Sequence, residues 1–150
     1  MPHAGELLGP ESVTQTLDAL APDRLGHGVR SVEDADVLAR IVDEGVALEV
    51  CPRSNIALGV YADAAEVPLH QLVDAGAMIA LGADDPLLFG SRLVDQYELA
   101  RDQGFSDEGL ADLARSSVHA SLAPPATKAA ILEEIDDWLT TTPDPPAPVR

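Results

Sequence analysis

The sequence predicts an α/β fold: a parallel sheet of about four strands joined by crossover helices. Two observations carry this prediction. Short apolar runs alternate with segments of helical spacing, and the connections between them are only a few residues long. Polar residues capable of chemistry stand just after each apolar run: His3 and Glu6, then His27, then Arg53-Ser54-Asn55, then Asp84 and Asp85. In a parallel sheet all such ends lie on one side, and in a closed barrel that side is where active sites are built.

Each element has its own local reason. His3-Ala4-Gly5-Glu6 follows Met1-Pro2 with no apolar run before it, so only the end of a strand is expected there. Pro10 to Leu20 reads as a helix, with Pro10 near its first position and Val13, Leu17 and Leu20 on one face. Asp23 to Val29 is a short strand that ends on a histidine between two glycines, Gly26-His27-Gly28. Ser31 is the expected N-cap of the next helix, with Asp34 in its first turn. Val32, Ala35, Leu38, Ile41 and Val42 follow at helical spacing, and Gly45 ends that helix.

Val46 to Cys51 is the next strand, and Pro52-Arg53-Ser54-Asn55 leads into an expected loop through Gly59 to Val67. Pro68 to Ala75 is a short helix closed by Gly76. Ala77 to Leu81 is an apolar strand running into Gly82-Ala83-Asp84-Asp85-Pro86. Three more helices follow: Ser91 to Gln103, a second capped by Ser106, and Pro125 to Leu139. Residues 1–141 read as one catalytic unit, and residues 142–150 as a proline-rich, disordered tail.

Composition narrows the function. The formal net charge is -17, from 26 acidic and 9 basic residues, which argues against nucleic acid or an anionic membrane as partner. No apolar run approaches membrane-spanning length and no signal peptide is visible, so a cytoplasmic location is expected. The single cysteine, Cys51, excludes an internal disulfide and reads as a small buried hydrophobe. His70 and His119 fall in expected helices and read as structural, as do Tyr97 and Trp138 on apolar helix faces.

The strand ends are equipped for metal-assisted hydrolysis. Zinc accepts histidine nitrogen and aspartate oxygen and, in catalytic sites, keeps a position for water. His3 and Asp84 are of that type. A second histidine, His27, is placed to assist a water, and Glu6 or Asp85 to act on the substrate. Asp84 and Asp85 are adjacent, and successive strand side chains point to opposite faces, so the two cannot do the same job if the strand continues that far. One can face a metal and the other a ligand; alternatively, Asp-Asp-Pro simply starts the next helix, with Pro86 at its first position.

The ordered motifs His3-Ala4-Gly5-Glu6, Arg24-Leu25-Gly26-His27-Gly28, Leu48-Glu49-Val50-Cys51-Pro52-x-Ser54-Asn55 and Asp84-Asp85-Pro86-Leu87-Leu88-Phe89 resemble the adenosine deaminase family. The resemblance covers the chain up to about Leu139. It implies the C-terminal half of a metal-dependent (β/α)8 TIM barrel holding Zn2+, and hydrolysis of the 6-amino group of a purine to a 6-oxo group. Carried over by motif, His3 and Asp84 resemble zinc ligands. Glu6 resembles the acid that protonates the purine ring, and His27 the histidine that orients and helps deprotonate the water. Gly5 and Asp85 resemble substrate-binding positions. Adenosine, a small-molecule purine nucleoside, is the default substrate; adenine or aminodeoxyfutalosine is the alternative.

Departures accompany the likeness. The family's first strand carries a His-x-His pair that supplies two more zinc ligands, and this sequence has no His-x-His. Ala83 stands where many members carry a hydroxyl residue. The chain is therefore expected to be a fragment or truncated product, either incomplete for catalysis or a non-catalytic remnant, with self-association through open sheet edges as a further expectation.

Overall fold

The computed structural model describes residues 1–141; the expected proline-rich tail, 142–150, lies outside the described residues. Four parallel strands form one sheet in the order β1-β2-β3-β4: β1 (His3–Ala4), β2 (Arg24–His27), β3 (Ala47–Val50) and β4 (Ile79–Leu81). Helices connect them: α1 (Pro10–Leu20), α2 (Ala35–Asp43), then α3 (Pro52–Ala57) and α4 (Leu69–Asp74). After β4 come α5 (Pro86–Phe89), α6 (Leu93–Asp102), α7 (Asp107–Ala120) and α8 (Pro125–Thr140). This is part of a (β/α) barrel. No helix among the described residues is long and apolar enough to cross a membrane.

The sheet is covered on one face by helices, and the core lies between. Leu25, Leu48 and Ile79 sit side by side on β2, β3 and β4 and are essentially inaccessible. Val13 and Leu17 of α1, Ile41 of α2, and Leu69 and Leu72 of α4 complete this layer. The apolar spacing of each helix explains which face is buried. At the free edge of β4, the Ile79 N–H donates to Ser116 Oγ of α7 at 2.8 Å, so a helix side chain takes up a backbone donor there.

Two local expectations change. Ser31 is not the N-cap of α2. The chain leaves β2 through a tight 3-10 turn, Val29–Glu33, and Ser31 is buried within it, its Oγ donating to Gly28 O at 2.7 Å. Asp34 is the cap instead, with Oδ1 accepting from the N–H groups of Asp36 and Val37. The second change is α3, expected to be loop. Pro52 occupies its first turn and needs no N–H there. The Arg53 N–H, an orphan donor at a helix start, finds Gln96 Oε1 of α6 at 3.0 Å.

Gly28 shows how tightly β2 meets the core. Its φ is +68°, and a Cβ there would lie 2.6 Å from Cδ2 of the fully buried Leu48. Gly45 has almost the same φ, +67°, but open space around it. Gly45→Ala is expected to cost about 1–2 kcal/mol from backbone strain alone. Gly28→Ala is expected to cost about 1–3 kcal/mol more through overpacking. Urea unfolding of the two variants measures the difference; equal losses would show that Leu48 yields.

Candidate active site

The C-terminal ends of the four strands bring the predicted residues together. Glu6, His27 and Asp84 each offer a ligand-type atom, and these atoms lie within 4.8 Å of one another. His3 is beside them: its ring centroid is 5.1 Å from that of His27. Gly26 leaves room for that ring, since a Cβ at Gly26 would come within 3.1 Å of His3 Cδ2. His3, His27, Glu49, Cys51 and Asp84 line a concavity of about 360 Å3. A groove of about 480 Å3 between α6, α7 and α8 shares no residue with it.

The backbone is unusual where the chemistry is concentrated. Among the described residues, three non-glycine positions have left-handed φ: Ala21, His27 and Asp84. Two of the three are site residues. Such conformations persist only where surrounding structure over-determines them, and they collect at functional sites. At His27 the constraint is burial, since the residue is only 2% exposed. At Asp84 it is a short hydrogen bond, Ser54 Oγ donating to Oδ2 at 2.6 Å.

Asn55, next to Ser54 on α3, reaches the other half of the site. Its Nδ2 donates to Glu6 Oε1 at 3.1 Å and lies 3.3 Å from His27 Nδ1. Glu6 Oε1 is itself 3.3 Å from His27 Nδ1. Ser54 and Asn55 stand out in the sequence as polar residues after a strand, but no role attaches to them there. Gln96, fully buried on α6, bears no sequence signal at all. Its Nε2 donates to Ser91 Oγ at 2.5 Å while its Oε1 holds the start of α3.

The remaining site residues are engaged locally. Asp85 Oδ1 accepts from the N–H groups of Leu87 and Leu88, capping α5, so the two adjacent carboxylates do divide: Asp84 faces Ser54 and Asp85 starts a helix. Gly5 is buried, its N–H donating to Ser12 Oγ at 3.0 Å and its carbonyl accepting from Arg30 N at 2.9 Å. On the sheet below, Arg24 pairs with Glu49.

With this geometry established, comparison with known proteins is decisive. The family model described as adenosine deaminase matches residues 1–138. The chain belongs to the adenosine deaminase family. It is 58% identical over 139 residues to a putative adenosine/adenine deaminase of Streptomyces coelicolor, covering 92% of this chain and 40% of the relative. It is 45% identical over 136 residues to an adenine deaminase of Agrobacterium fabrum, covering 90% of this chain and 42% of that protein. The crystal structure of an adenine deaminase from Arthrobacter aurescens superposes with a TM-score of 0.88 at 38% identity, over 93% of this chain and 43% of that one. A zinc-bound amidohydrolase from Burkhoderia ambifaria superposes at 0.76 with 26% identity, over 91% and 41%. The chain thus spans about two fifths of the length of the relatives it matches.

Burial holds His27 below its ordinary pKa of 6.5, against the pull of Glu6 and Asp84 and with the help of His3. A depressed folded-state pKa means that the unfolded chain binds the proton more readily. The stabilisation from neutral His27 is therefore complete above about pH 6.5 and lost as pH falls below it. Urea midpoints between pH 7.5 and 5.5 are expected to fall with pH, and His27→Gln to flatten that slope. Burial also pushes the Cys51 thiol up to about 12. Iodoacetamide at pH 8 is expected to label Cys51 only after unfolding; rapid labelling of the folded chain would contradict its burial.

Proposed function

We propose that this chain carries the acid, the histidine and the metal-facing carboxylate of a zinc-dependent purine deaminase that acts on adenine. The observation that supports this most directly is the convergence of Glu6, His27 and Asp84 from three strand ends, with ligand-type atoms within 4.8 Å. The names of the relatives from Agrobacterium and Arthrobacter favour the free base over the nucleoside, so adenine replaces adenosine as the expected substrate.

The donor set around the concavity fits zinc: imidazole nitrogen from His3 and carboxylate oxygen from Asp84, both types that zinc binds. These two residues would hold the ion, together with ligands from outside this chain. When bound, zinc lowers the pKa of a coordinated water to about 7 and so supplies a nucleophile at neutral pH.

The chain's own residues do the rest. Ser54 holds Asp84 by its Oδ2 and so fixes the direction of the other oxygen. His27 hydrogen-bonds the incoming water from within the pocket wall. Glu6 delivers a proton to the purine ring nitrogen beside the amine-bearing carbon, which makes that carbon more electrophilic. Water adds at the carbon and gives up both of its protons, one to the departing amino group and one back to Glu6; the carbon–nitrogen bond breaks, ammonia leaves, and a 6-oxopurine protonated on the ring nitrogen remains. Asp85 is assigned to the purine edge through the carboxylate oxygen that does not cap α5; Gly5, whose N–H is taken by Ser12 Oγ, has no donor to offer there.

The test uses residues 1–138 grafted in place of the matching segment of the Streptomyces coelicolor relative. With Zn2+ the chimera is expected to release ammonia from adenine with a higher kcat/KM than from adenosine. Glu6→Gln is expected to lower kcat by roughly 10²- to 10⁴-fold, as removal of a general acid does. A folded, zinc-loaded chimera that deaminates neither purine would refute the assignment.

A further inference from the structure

We propose that Asn55 is a positioning residue that keeps the His27 proton on Nε2, so that His27 meets the pocket as a hydrogen-bond donor while Glu6 remains a separate acid. The meaning of this for catalysis rests on the deaminase reading above; its geometry does not.

Asn55 is fully buried, and its main chain is pinned. Its N–H donates to Cys51 O at 3.0 Å, and its carbonyl accepts from Val60 N at 2.9 Å. The side chain, wholly buried, reaches Glu6 and His27. There, Nδ2, Glu6 Oε1 and His27 Nδ1 form a triangle with sides of 3.1, 3.3 and 3.3 Å. An amide nitrogen carries two hydrogens and accepts nothing, so it donates to both neighbours. A donor aimed at Nδ1 needs a lone pair there, and the ring proton of the neutral imidazole must then sit on Nε2.

Before Glu6 takes up the proton it delivers, the opposite amide orientation would set Asn55 Oδ1 against its carboxylate, acceptor against acceptor, with no hydrogen between them. In the observed orientation Oδ1 is buried and has no partner among the described residues. The contacts of this residue are thus made by its donor end, and an unmatched acceptor is tolerated to keep that end in place.

The consequence concerns proton sharing. Glu6 and His27 are close enough to exchange a proton directly, with Nδ1–H donating to the carboxylate. Asn55 replaces that bond with two of its own, one to each partner. Remove its hydrogens, and Nδ1 is expected to take the proton and turn it toward Glu6, leaving a bare Nε2 facing the pocket.

Long-range proton–nitrogen spectra of histidine-labelled chain, without metal at pH 7.5, read this directly, with His27 assigned by the signal lost in His27→Gln. The expected pattern is a protonated Nε2 and a bare Nδ1. Asn55→Asp keeps the size but turns a donor into an acceptor, and is expected to move the proton to Nδ1. Asn55→Leu removes both hydrogens and is expected to do the same through Glu6. A protonated Nδ1 in the unmodified chain overturns the proposal, as does an unchanged pattern in folded variants. The unmodified spectrum decides even if neither variant folds. In the zinc-loaded chimera, Asn55→Asp is expected to lower kcat for adenine roughly tenfold or more, with KM changed less than about threefold. An inactive parent chimera would count against the deaminase reading and leave the tautomer result standing.

Discussion

Parallel backbone pairing determines where every polar group of this site is found. The register places His3 opposite Gly26, Gly26 opposite Glu49 and Glu49 opposite Ala80, so the four strands advance together and stop together. Whatever follows a strand must then turn away at the same rim. Glu6, His27, α3 and Asp84 meet because each lies at the end of a strand or just past it. Antiparallel pairing of any one strand would have sent its polar end to the opposite rim.

The short helix α3 joins the two sides of the rim. Ser54 reaches Asp84 after β4, while the neighbouring Asn55 reaches Glu6 after β1 and His27 after β2. A six-residue helix has little stability of its own. Its position comes from Gln96, which is fully buried and takes up the Arg53 N–H. A glutamine on α6 thus supports contacts made by residues more than forty positions earlier in the chain.

The sequence made the punctuation of the fold readable and its long-range contacts unreadable. Pro10, Gly45, Gly76, Pro86 and Ser106 mark helix ends through chemistry that acts within a turn, and the structure has helix boundaries close to each. The polar residues after each strand were equally visible, because a buried strand that stops on a histidine or a paired carboxylate is conspicuous. Ser31 reads as the cap and Asp34 as a first-turn carboxylate, but the chain makes a 3-10 turn over Val29–Glu33 after Gly28, which takes Ser31 out of reach and leaves Asp34 at the start of α2. Asn55 touches Glu6 across 49 positions of sequence, and no local rule carries that distance. The split between Asp84 and Asp85 was open for a similar reason: a capping carboxylate and a pocket carboxylate look alike until Ser54 is placed beside one of them.

His27 and Asp84 hold left-handed backbone that glycine would adopt without strain. At exposed Asp84, replacement by glycine would relieve a penalty of about 1–2 kcal/mol, and it would also delete the carboxylate that Ser54 holds. Selection for a sturdier chain and selection for a working rim therefore pull this position in opposite directions. Any programme of stabilisation guided by backbone ideality would reach for Asp84 early, and would improve the protein as an object while emptying its pocket.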